Sequence, residues 1–227
     1  MRRLVLATLL LSVAAPACAA ERDFPNAGFD KVDLAAAAKV DIHSGARFAV
    51  HASGDPKWLD LLNIRVVQGT LVIGWNRDHI NMNGHDPIHI QVSMPRITGA
   101  TLSGAGTITV DRADGPDFAA TIRGAGTIDL PVLHAERARF EMGGAGKIMA
   151  AGSAGSVDAR VHGFGAIELA GLAARAGRFD MSGTGSIKAR VDGPADATMN
   201  GVGSIDVVGN PRCTVHKNGL GSVHCGG

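Results

Sequence analysis

A Gly-x-Gly pair recurs seven times in the second half of this chain. The copies are Gly104/Gly106, Gly124/Gly126, Gly144/Gly146, Gly163/Gly165, Gly183/Gly185, Gly201/Gly203 and Gly219/Gly221, with first glycines 20, 20, 19, 20, 18 and 18 residues apart. So even a pitch marks a structural repeat, in which each unit buries its apolar face only by stacking on its neighbours. Two residues before the first glycine stand Leu102, Ile122, Met142, Val161, Met181 and Met199, with Lys217 the exception. Four after it stand Ile108, Ile128, Ile148, Ile167, Ile187, Ile205 and Val223. The positions four before and six after are apolar as well, from Ala100 and Val110 in the first copy to Val215 and Cys225 in the last. All these offsets are even, while the odd ones are mostly Thr, Ser and charged residues. Period two is the signature of a strand with one buried and one wet face.

One strand–bend–strand coil of about 19–20 residues predicts an all-β fold, a parallel β-helix of coils hydrogen-bonded ~4.8 Å apart. Leucine-rich repeats need a Leu-x-x-Leu-x-Leu frame and an Asn ladder, and neither is present. In Gly143-Gly144-Ala145-Gly146 a calcium-binding nonapeptide begins but is broken by Lys147, at twice the required period. Composition agrees with a thin core: 31 glycines, 45% hydrophobic residues, 4% aromatics and no Tyr. Both glycines of each pair share the buried parity, so they are expected to face inward and let the chain bend or let opposite walls approach.

Residues 1–20 read as a secretory signal: Arg2 and Arg3, an apolar run from Leu4 to Val13, and the small-residue site Ala17-Cys18-Ala19. The run is too short to span a membrane as a helix, which takes ~20 residues. Lipidation at Cys18 is the weaker alternative, because Ala15 stands where such signals carry Leu. Without the signal, 20 basic residues face 21 acidic ones, a balance that excludes a strong electrostatic preference for nucleic acid or an anionic membrane, and no nucleic-acid partner is expected. Two cysteines remain, Cys213 and Cys225, and in an exported chain an even pair reads as a disulfide. Residues 21–100 alternate less cleanly, in stretches such as Lys39–His43 and Ile88–Val92, with a short helical turn expected after Pro56. They are read as irregular leading coils and a cap, and 101–227 as the regular coils with a disulfide-pinned end.

The layout resembles the auto-transporter adhesin head GIN-domain family of bacteria. The features that carry the resemblance are the export signal, Phe29-Asp30-Lys31-Val32, Gly69-Thr70-Leu71-Val72-Ile73, Met94-Pro95, and serial units such as Ser103-Gly104-Ala105-Gly106-Thr107-Ile108. It implies a right-handed parallel β-helix on the bacterial envelope, in the periplasm or at the cell surface. The family offers no catalytic or binding residues to transfer.

Two function classes follow. The first is a non-enzymatic adhesion or interaction scaffold that meets an envelope glycan or protein with its outer wall. The second is a polysaccharide-binding or polysaccharide-cleaving enzyme, which needs converging acids, bases or metal ligands. The wet offset five after the first glycine carries Asp129, Glu168 and Asp206, but Met149 and Lys188 intervene. Coils two apart separate carboxylates by ~10 Å, loose for a retaining glycosidase pair and near the upper limit for an inverting one. Phe164 is the one aromatic at an odd offset, so a sugar-stacking platform is lacking. His79, His85 and His89, near Asp78 and Asp86, are the candidate metal ligands; their spacing matches no established motif, and a polar loop is the competing reading. No catalytic residue and no cofactor is expected. The repeated Gly-x-Gly precedes no helix and is not a dinucleotide fingerprint.

Overall fold

The computed structural model describes residues 20–76 and 88–226. Residues 1–19, which with Ala20 make up the stretch read from the sequence as a secretory signal and include Cys18, lie outside the described residues. The chain forms a parallel β-helix in which each repeat lays its strands beside those of its neighbours in strict register. Ile128 lies between Ile108 and Ile148, and the ladder continues through Ile167, Ile187, Ile205 and Val223. Every isoleucine of this ladder is fully buried, as are Leu102, Ile122, Met142, Val161, Met181 and Met199 on the preceding strand row. Each such side chain contributes roughly 1.5–3 kcal/mol of burial. At the four apolar offsets, from four before to six after the first glycine, the even parity therefore holds in every coil with a neighbour on both sides. It weakens only in the last coil, where Val215 is 44% exposed because nothing stacks on it.

The coils are not flat ribbons. Ala125–Met142 and Ala145–Val161 run through an irregularity near Leu130 and then form a further wall, with Leu133 and Leu172 buried. The strand row around Phe118, Ala138 and Val157 joins this wall to the row that leads into the next glycine bend.

The glycines depart from the inward placement that their parity predicts. The second glycines Gly106, Gly126, Gly146, Gly165, Gly185 and Gly203 are only half-buried, and Gly221 in the last coil is exposed. Among the first glycines, Gly163 and Gly201 are buried, while Gly104, Gly124, Gly144, Gly183 and Gly219 are half-buried. The physical reason is the bend itself, which turns these positions from the core towards the coil below. A Cβ on Gly144 would meet the Arg123 carbonyl oxygen at 2.5 Å and overlap that of Gly124, the equivalent glycine one coil earlier. On Gly146 it would overlap the carbonyl of Gly126, and the backbone there has φ +145°. The same overlap recurs up the stack, Gly165 on Gly146, Gly185 on Gly165, Gly203 on Gly185 and Gly221 on Gly203. The missing side chain thus points along the stack axis into the preceding coil's backbone, not across the interior to the opposite wall.

The beginning of the chain is threaded out of order. Lys31–Leu34 pairs in parallel with both Thr70–Trp75 and Gly99–Leu102, and Ala37–Ser44 with both Ile88–Met94 and Ala105–Val110. The first coil therefore lies between two later ones, and the chain passes it at Thr98, whose N–H donates to the Asp30 carbonyl at 2.7 Å. Beyond Thr70–Trp75 and Ile88–Met94 the strands turn antiparallel: Leu62–Val67 against the first, Ala49–Gly54 against the second, and Ala20–Asp23 outermost. Gln68 and Gly69, with φ of 47° and 74°, form the two-residue hairpin that reverses the chain. The helical turn after Pro56 is Pro56–Leu59, capped by the Asp55 carboxylate, which accepts from the Lys57 N–H at 2.9 Å.

Candidate functional site

In-register stacking turns each sequence offset into a straight row of side chains along the axis. The row five before the first glycine runs Lys31, Gly99, Ala119, Arg139, Asp158, Arg178 and Asp196. The row two positions earlier begins with Asp117, Arg137 and Ser156. Between them run Phe118, Ala138 and Val157, none more than 4% exposed. The two outward rows are the rims of a concave corner, a groove of about 650 Å³ that follows the stack across seven coils, from Lys31 to Asp196. Six coil spacings make it roughly 29 Å long.

The charges of the groove divide into paired and free. Asp117 accepts two hydrogen bonds from Arg137, at 2.6 and 2.7 Å. The Arg137 hydrogen bonds hold the Asp117 carboxyl below its ordinary range against a smaller opposing effect of desolvation, and Asp117 in turn raises Arg137. Asp158 is drawn off the groove by Arg160, two residues on, again through two bonds, at 3.0 and 2.7 Å. Lys31, Arg139 and Arg178 have no hydrogen bond or ion pair among the described residues. The alternation has a local cause: like charges at ~4.8 Å in one row repel, so Arg139, Asp158, Arg178 and Asp196 alternate in sign, as do Glu141, Arg160 and Asp180 beside them.

The residues singled out from the sequence fall elsewhere. Asp129, Glu168 and Asp206 share one row, separated by Met149 and Lys188. Glu168 is paired with Lys147 at 3.0 Å, and Asp206 accepts from the Ser204 hydroxyl at 3.0 Å. No acid–base pair converges there. His79 and His85 lie outside the described residues, so the three-histidine grouping is not on view. His89 is described, and its Nε2 lies 2.5 Å from Asp41. Burial works against ionised Asp41, but the His89 hydrogen bond and the charges of Lys39 and His89 prevail and lower its pKa. Among the described residues no group of three His, Cys, Asp or Glu side chains is placed to hold a metal. Cys213 and Cys225 are joined as a disulfide, with Cα atoms 6.4 Å apart. Phe164 is 69% exposed and continues the row of Ala105, Ala125 and Ala145 into Thr184, Val202 and Leu220 along the outside of the glycine bend.

The groove itself was not among the sequence candidates. Its signal was available as the alternation of charge sign at one repeat offset, Arg139, Asp158, Arg178, Asp196. What offset arithmetic lacks is the angle between walls, which makes one corner concave.

The sequence matches the family described as "Putative auto-transporter adhesin, head GIN domain" over residues 28–211. No curated protein matches it. Among solved structures, a "putative adhesin" of Bacteroides fragilis is similar with a TM-score of 0.86 at 22% identity, covering 91% of this chain and 96% of that one. A "Putative lipid binding protein" of Parabacteroides distasonis has a TM-score of 0.70 at 15% identity, with coverage of 92% and 97%. A "putative adhesin" of Parabacteroides merdae has a TM-score of 0.64 at 14% identity, with coverage of 94% and 98%. At these identities the likeness is one of fold.

Proposed function

Since the chain belongs to the auto-transporter adhesin head GIN-domain family, we propose that it is a non-enzymatic envelope protein, an adhesion or interaction scaffold whose contact surface is the groove. The observation that carries this reading is the state of the groove's charges. Of its carboxylates, Asp117 and Asp158 are held by Arg137 and Arg160 and Asp196 stands unpaired at the far end, while Lys31, Arg139 and Arg178 stay free to meet a ligand. Paired carboxylates on a solvated wall suit recognition, whereas hydrolysis needs an acid and a base facing one bond. Two carboxylates, Asp158 and Asp196, share a rim, but Arg178 stands between them.

The leader, residues 1–20, delivers the chain to the periplasm or cell surface with Cys18 removed. Residues 21–100 are its leading coils and cap, and 101–227 its regular coils. No helix among the described residues is long and apolar enough to cross a membrane. The test is binding of the purified mature protein to isolated bacterial envelope, with release of new reducing ends measured in the same samples. Saturable binding without reducing-end release is the expected result. Release of reducing ends that is lost on replacing Asp158 or Asp196 would overturn the reading in favour of an enzyme.

A further inference from the structure

We propose that the groove takes a linear acidic polysaccharide, one carrying a carboxylate or sulfate on alternate sugars; this rests on the scaffold reading above. Three features of the groove converge on that class. The first is charge: the unpaired groups on the long rim are cationic at Lys31, Arg139 and Arg178, and acidic only at the far end, in Asp196. The Lys31 stem lies over Gly99, where a side chain would come within 3.5 Å of its Cγ, so the absence of a side chain there leaves room for it on the rim.

The second is spacing. Arg139 and Arg178 are two coils apart on the same row, about 9.6 Å by strand spacing. In an extended pyranose chain alternate sugars present the same edge, and two sugars span close to two coils. An extended peptide returns a side chain to the same face every ~6.7 Å, so acidic residues on one edge fall out of step with the two guanidiniums. The third is the floor. Strands under the groove are hydrogen-bonded to a neighbour on each side, so a peptide backbone finds no free sheet edge there. Phe118, Ala138 and Val157 are too buried to give an acyl chain much surface. Hydroxyl-rich sugars find polar partners instead at Ser156, Thr98 and the carboxylates. With no exposed aromatic at the groove, ion pairing supplies the affinity, and binding weakens with salt.

The experiment is calorimetric titration of the mature protein with five probes: a polysaccharide carrying glucuronate on alternate sugars, a chondroitin-type chain carrying sulfate as well, neutral dextran, poly-glutamate, and anionic phospholipid vesicles. Binding to the first or second, weakened by salt and at least tenfold weaker in Arg139→Ser/Arg178→Ser, is expected, with Arg65→Ser, on the antiparallel strand beyond the Lys31 end and outside the groove, unchanged. The comparison of the two charged glycans separates carboxylate from sulfate. All three arginines are exposed, so unchanged melting of the variants confirms their fold. Failure of both charged glycans, or equal binding by the double variant, overturns the proposal. So does tighter binding of poly-glutamate or of vesicles. If envelope binding persists while both glycans fail, the polysaccharide class is wrong and the scaffold reading stands; if envelope binding fails too, both are wrong.

Discussion

At the scale of single residues, the repeat is enforced from two directions. Buried apolar residues reward stacking, and glycines remove what would forbid it. Ile148 is fully buried between Ile128 and Ile167, so Ile148→Asp should cost more than ~3 kcal/mol, an unpaired charge adding to lost packing. Gly146→Ala should cost roughly 3 kcal/mol or more, since a Cβ overlaps the Gly126 carbonyl and φ is strained for any L side chain. Thr127→Val, on the wet face of the same ladder, should change stability by no more than about 0.5 kcal/mol. Chemical denaturation of the three variants checks these values. The parity of the inward apolar residues flanking each glycine pair was legible in the sequence, because period two needs no knowledge of neighbours; Leu133 and Leu172, buried at odd offsets beyond the irregularity, were not. The direction of the glycine constraint was not. Even offsets suggest approach across the core, and only the stacked backbone shows that a Cβ there runs along the axis into a carbonyl.

At the scale of elements, the antiparallel end is fastened by a histidine–aspartate pair. His51 on Ala49–Gly54 lies 2.8 Å from Asp23 and 3.7 Å from Glu21 on Ala20–Asp23, and the Asp23 hydrogen bond raises its pKa despite desolvation. A raised histidine contributes fully below its ordinary pKa of about 6.5 and loses that contribution as pH climbs through the raised value. Hydrogen exchange in Ala20–Asp23 should therefore quicken between about pH 6 and about pH 8 beyond its intrinsic rate, and His51→Gln should remove that excess. Asp41, with its lowered pKa, acts in the opposite sense at the neighbouring coil: its contribution holds above its ordinary pKa and is lost as pH falls through the lowered one. The interleaving of Lys31–Leu34 between two later strands could not be read from the chain, because its alternation resembles that of any other coil. Local pattern fixes which side faces in, not which coil lies next.

Across the whole molecule, the two ends are finished differently. One end is covered by antiparallel strands and Pro56–Leu59; the other stops at Arg212–Lys217 and Leu220–Cys225. There Cys213 sits over Ala195 and Cys225 over Val207, so the disulfide crosses the end of the core above two buried residues. Closing a loop with a separation of 12 residues stabilises the fold by about 3 kcal/mol on the chain-entropy account. Reduction, or Cys213→Ser/Cys225→Ser, should therefore expose residues 210–226 to proteolysis before any other part, with more oligomer by light scattering as the open edge finds partners. Equal proteolysis of oxidised and reduced protein would contradict this. The pairing could be anticipated because both cysteines occupy inward offsets of one coil.

The central claim is that the molecule meets its ligand in the groove and not on its other walls. A photo-crosslinking residue at Ser156, in the groove, and another at Ser186, on the wall carrying the isoleucine ladder, test it directly when each protein is irradiated on isolated envelope. The account predicts strong capture from position 156 and background from 186, with capture at 156 suppressed by added acidic polysaccharide. Capture from 186 with none from 156 would contradict it.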